Sequence, residues 1–142
     1  MPDQENERKK TMINFNQNSV FNLTPIPVQS VQQEVNGLLI KEEYIINAFK
    51  TIRDQLIFTN KRIISIDVQG ITGKRKSFST MPYSKIQFFA IQTAGFMEFF
   101  ADSELFICFS NGFTAKFEFK GKVDIGEIGR LISEYALDGG YK

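Results

Sequence analysis

Histidine is absent from the 142-residue chain. With it go the side chain that most often moves protons near neutral pH and every Ser/His, Cys/His or His-ligand metal arrangement. Tryptophan is also absent, and there is a single cysteine. Cys108 cannot form an internal disulfide, and within Leu105-Phe106-Ile107-Cys108-Phe109 it reads as a small buried hydrophobe rather than a reactive thiol. That suits a reducing compartment. No apolar run approaches the ~20 residues that a membrane-spanning helix needs, and no basic-then-apolar leader opens the chain, so a cytoplasmic location is expected. Without an export signal, Asn22-Leu23-Thr24 reads as a chance match to a glycosylation acceptor.

What the chain does have is phenylalanine, fifteen of them. These rings carry no polar atom and need no buried hydrogen-bond partner. With 42% hydrophobic and 23% charged residues the balance is that of a globular protein, and the length suits one core. Residues 1–29 are polar, Asn/Gln-rich and interrupted by Pro25 and Pro27, and are expected to form a flexible arm ahead of a domain spanning 30–142. Ser30, with Gln33 as its capping-box partner, predicts a short helix that buries Val31, Val35, Leu38 and Leu39 and ends near Ile40.

From Glu43 onward the pattern changes to short Ile-, Phe- and Thr-rich segments separated by turn residues, the mark of consecutive antiparallel strands. Seven are expected: 44–52, 55–59, 62–68, 74–81, 85–93, 104–110 and 113–119. Asn111-Gly112 predicts a two-residue hairpin turn. In 113–119 the alternation leaves one wet face, whereas in 104–110 Leu105, Ile107 and Phe109 point one way and Phe106 and Cys108 the other. A final helix is expected to supply the missing cover. Asp124 would cap it, Ile125, Ile128, Leu131, Ile132 and Tyr135 would form its apolar stripe, and Gly139-Gly140 would stop it. Gly126 and Gly129, each costing the helix about 1 kcal/mol relative to alanine, suggest close approach to the sheet.

The run from Ala48 to Arg62, AFKTIRDQLIFTNKR, together with Gln69-Gly70-Ile71-Thr72-Gly73-Lys74 and Met81-Pro82-Tyr83, resembles the bacterial pleckstrin-homology-like domain family. The likeness continues through Thr93-Ala94-Gly95 to Asp124-Ile125, covering about Val31 to Leu137. It implies a mainly β fold, a seven-stranded antiparallel barrel capped by a C-terminal α-helix, in a family with no established enzymatic activity; with no histidine, an inert Cys108 and no convergent carboxylate pair, neither catalysis nor a cofactor is expected. It also implies assembly into rings. The sequence departs from eukaryotic pleckstrin-homology domains in having no tryptophan in its last helix and only Arg53-Asp54 at its first hairpin turn. Phosphoinositide binding is therefore not carried over.

Between Lys50 and Lys85 eight basic residues face two acidic ones, a balance of +6; from Glu98 to Asp138 eight acidic residues face four basic ones, a balance of −4. Arg53, Lys61, Arg62, Lys74, Arg75 and Lys76 are the candidates for an anionic ligand, although charges at turns also simply guard sheet edges. Gly70-Ile71-Thr72-Gly73-Lys74 has two residues between its glycines where a phosphate-binding loop needs four, and reads as a β-turn. Asp102 and Glu104 lack further local oxygen ligands, so no metal site is expected. Phe96, Phe99, Phe100 and Phe106 exceed what a small barrel can hide and are the expected contacts of a cyclic homo-oligomer. The expected function is a self-assembling module for a protein or peptide partner. Peripheral binding to an anionic membrane surface is the alternative; nucleic acid is not favoured, because aromatics are not interleaved with Lys/Arg.

Overall fold

The computed structural model describes residues 17–93 and 102–137. Eight strands form one sheet: β1 (Gln17–Ile26), β2 (Ile45–Lys50), β3 (Gln55–Thr59), β4 (Arg62–Gln69), β5 (Arg75–Pro82), β6 (Ile86–Thr93), β7 (Ser103–Phe109) and β8 (Thr114–Phe119). Helix α1 (Gln29–Val35) follows β1, a 3-10 turn (Tyr83–Lys85) joins β5 to β6, and α2 (Ile125–Leu137) ends the described chain. The strand order is β5-β4-β3-β2-β1-β8-β7-β6.

Seven strands fall where the periodicity places them. The eighth is a correction to the expected flexible arm, whose residues 17–26 form β1. This strand runs parallel to β8 through Gln17–Leu23 and antiparallel to β2 through Thr24–Ile26, so it joins the two halves of the sheet. Its register shifts between Val20 and Leu23, where Asn22 takes a φ of 60°. Because of that bulge both Val20 and Leu23 are buried although they stand three apart, and the period-2 signal is erased. The expected all-antiparallel seven-stranded barrel is thus corrected to eight strands with one parallel pair, and no ladder joins β5 to β6 among the described residues.

Buried side chains form two clusters. The larger lies inside the curved sheet and gathers Leu23, Phe49, Phe58, Leu105, Ile107, Phe117 and Phe119 with Ile125, Ile128 and Ile132 of α2. The smaller lies on the opposite face of β2–β4, where Ile57, Ile64 and Ile66 are covered by Val31 and Val35 of α1. This explains why β3 and β4 are buried on both sides. The Ser30 capping box does not form; the Ser30 hydroxyl donates to the Pro27 carbonyl (2.6 Å), and α1 is only seven residues long, with no side-chain cap at its N-terminus. In α2 the expected cap is present, with the Glu127 N–H donating to Asp124 Oδ1 (3.0 Å). An alanine Cβ at position 129 would lie 2.3 Å from Ile91 Cδ1, so the glycine does let the helix close on β6.

The β7–β8 turn differs in detail. The Phe109 N–H donates to the Phe113 carbonyl (2.8 Å) across a three-residue loop, and only Gly112, at φ 90°, takes the left-handed conformation.

Candidate functional site

The six basic candidates do not converge. Arg62 is committed to structure: its Nε donates to Glu43 Oε2 (2.9 Å) and its Nη2 to Glu43 Oε1 (3.1 Å), while other N–H groups reach Thr80 Oγ1 and the Leu38 carbonyl. The Glu43 side chain is inaccessible to solvent. Burial by itself would raise its pKa, but hydrogen bonds from Arg62, Thr59 and the Ile40 N–H, with the Arg62 charge, outweigh that and hold it below the ordinary glutamate value. The network extends through Thr59, whose carbonyl accepts a hydrogen bond from the buried Tyr83 hydroxyl (2.7 Å). Burial, helped by Tyr135 and Glu43, pushes that phenol well up from its usual range. Lys76 pairs with Glu34 of α1.

Arg53, Lys74 and Arg75 share one end of the sheet. The Thr51 hydroxyl accepts the Arg53 and Asp54 N–H groups to shape the β2–β3 turn, and Arg53 donates to the Gly70 carbonyl of the β4–β5 hairpin. Ile52 and Ile71, at the tips of these two turns, are fully exposed. Gly70–Lys74 is a plain turn, with the Gly73 N–H on the Gly70 carbonyl (3.3 Å). Lys61 lies at the opposite end, in the β3–β4 hairpin.

Asp102 and Glu104 are separated by their partners. Asp102 accepts the Gly121 N–H (2.6 Å) and lies 3.8 Å from Lys120, whereas Glu104 faces Lys116 at 3.4 Å. Both border a cavity of about 290 Å³ with Asn22, Gln92 and Glu118. Among the described residues no three potential metal ligands cluster. Ser103, on the core-facing side of β7, lines the same cavity and has a buried hydroxyl with no hydrogen-bond partner among the described residues.

The expected interface residues Phe96, Phe99 and Phe100 lie outside the described residues. Phe106 is half-buried on the outer face of β7, and α2 does not cover it, contrary to expectation: the helix packs on the Leu105 and Ile107 side. There Phe106 meets Phe88 edge-on, with ring centroids 6.3 Å apart, and Phe88 is 55% exposed. Cys108, expected to be buried, is half-buried beside Phe88 on this same face. Sequence reading missed Phe88, whose neighbour Phe89 is the inward-facing ring.

The family model for the bacterial PH domain matches residues 14–136. The chain is 43% identical over 89 residues to the uncharacterised Bacillus subtilis protein YjqA, covering 63% of this chain and 70% of that one. It is 33% identical over 103 residues to YozO of the same organism, also uncharacterised, covering 72% and 87%. Among solved structures, a protein with a pleckstrin-homology domain from Shewanella loihica superposes with a TM-score of 0.69 at 32% identity, over 82% of this chain and 99% of its own. A pleckstrin-homology domain from Shewanella amazonensis gives 0.58 at 35% identity, over 78% and 89%.

Proposed function

Because the chain belongs to the bacterial PH domain family, we propose that it is a non-catalytic binding module that assembles with copies of itself into a ring and offers the assembled surface to a protein or peptide partner. The observation carrying this reading is the outer face of β6 and β7, where Phe88 and Phe106 pack on each other and neither helix covers them. An aromatic pair left at a surface is commonly completed by another protein. Phe96, Phe99 and Phe100 join Phe106 in the proposed contact. The separation of a basic middle from an acidic C-terminal segment favours contacts between unlike patches, which close into rings. Light scattering coupled to size exclusion, at low and high salt, is the test. A multiple of 16.3 kDa that survives high salt is expected, and a strict monomer in both conditions would overturn the reading.

One observation favours a second reading, attachment to an anionic membrane surface. The exposed Ile52 and Ile71 tips, flanked by Arg53, Lys74 and Arg75, could dip between acyl chains while the cations meet headgroups. Flotation with phosphatidylserine vesicles that fades as salt rises would support it; flotation unaltered by Ile52→Asp with Ile71→Asp would not.

A further inference from the structure

One end of the β7–β8 ladder carries an arrangement that folding alone does not favour. Glu104 stands directly opposite Glu118, and like charges so placed repel. The nearby lysines do not cancel both. Lys116 lies 3.4 Å from Glu104 and Lys120 3.8 Å from Asp102, which leaves Glu118 with neither a hydrogen bond nor an ion pair among the described residues. Three carboxylates against two ammonium groups leave one negative charge over.

All three carboxylates border the cavity of about 290 Å³, and neutral hydrogen-bonding groups flank them. Gln92 stands across from Glu104 on β6, and Asn22 comes in from the β1 bulge on the far side of β8. A further observation is independent of charge. Ser103, in the same wall, is only 7% exposed, and its hydroxyl has no hydrogen-bond partner among the described residues. Buried hydroxyls are almost always met, so this one calls for a guest that carries a hydrogen-bonding group.

Size and charge narrow the guest. Ligand pockets run from about 300 to 1,000 Å³, so this cavity suits a single side chain or a small metabolite rather than a large cofactor. The surplus charge asks for a monocation. Among the described residues no three Asp, Glu, Cys or His side chains converge closely enough to hold a metal ion. Opposed carboxylates beside amide carbonyls instead ask for several N–H donors at once. A guanidinium supplies five, meets carboxylates edge by edge, and is more weakly hydrated than an ammonium group, so it is easier to bury.

We propose that this cavity receives a guanidinium group, with Glu104 and Glu118 accepting its N–H donors and Gln92, Asn22 and Ser103 completing the shell. The site goes beyond the self-assembly reading and does not depend on it, because it is built within one copy. Full-length protein is titrated by calorimetry with butylguanidinium and with a blocked tripeptide holding one arginine between glycines, each beside its ammonium counterpart, butylammonium or the lysine tripeptide. Saturable binding that favours guanidinium is expected, and the tighter of the two guanidinium probes tells whether the group comes free or on a peptide. In amide NMR spectra the shifts should centre on Glu104, Glu118 and Gly121. Glu118→Gln should weaken binding about tenfold to a hundredfold. By relieving the repulsion it should also raise the melting temperature, so the lost affinity cannot be put down to misfolding. Ser103→Ala should weaken binding less, and Glu134→Gln, on α2, not at all. No guanidinium binding at about 10 mM, equal binding of the ammonium probes, or an affinity unchanged in Glu118→Gln overturns the proposal. Light scattering on the same samples keeps the two readings apart, since a monomer that binds refutes only assembly and a ring that does not bind refutes only this site.

Discussion

Glu43 is an ion buried at the junction of the α1–β2 connection with the β3–β4 hairpin, and its neighbourhood decides its worth. Removing one partner of such a pair strands the other charge, so Glu43→Gln or Arg62→Met should cost about 3–5 kcal/mol, measured by urea unfolding. Its folded pKa lies below the unfolded value near 4.5, so the stabilisation is complete above that pH and is lost as pH falls through the folded value. Glu43→Gln should flatten that acid limb. Asp67 has the opposite sign: burial and the nearby Asp54 raise its pKa, so its contribution favours the folded state at low pH and is lost as pH rises through the folded value. Asp67→Asn should therefore raise the neutral-pH melting temperature. Gly129 adds a steric case. Alanine there would gain about 1 kcal/mol of helix propensity and would meet Ile91 Cδ1, the far end of a flexible, half-buried side chain that can turn aside at little cost. Gly129→Ala should therefore be neutral or stabilising by up to about 1 kcal/mol in thermal unfolding, and the gain should be fuller with Ile91→Val, which removes that methyl.

At the scale of elements, Leu23→Ala tests whether β1 belongs to the core; a loss of about 2–5 kcal/mol is expected, against nearly none for a loose arm. Val31→Ala, on the single short helix covering Ile57 and Ile64, should cost about 1.5–3 kcal/mol. β2 to β8 were legible because each alternates or runs apolar between local turn signals, and α2 because its stripe and its Asp124 cap are both local. β1 was not, since the bulge at Asn22 puts its anchors three apart and its parallel partner lies at the far end of the chain. The basic candidates show the same divide. Their number was visible in the sequence, but Arg62's commitment to Glu43 depends on a hairpin that brings distant residues together. The outward turn of Phe88 rather than Phe89 depends on a register shift between Ile86 and Phe88.

Across the whole molecule, one sheet holds two cores back to back, and β1 is the piece that ties its halves together. Gln17 is set opposite Thr114 and Leu23 opposite Phe119, so nearly the whole described chain lies between partners in this ladder. Such a closure is entropically costly until intervening contacts hold the ends near each other. Leu23→Ala should accordingly speed unfolding while leaving the refolding rate almost unchanged in stopped-flow measurements, because the strand docks after the transition state. For a chain emerging vectorially from the ribosome the consequence is an inversion of order: β1, made before the other described strands, has to wait, unpaired on its β8 side, until the last of them has been made.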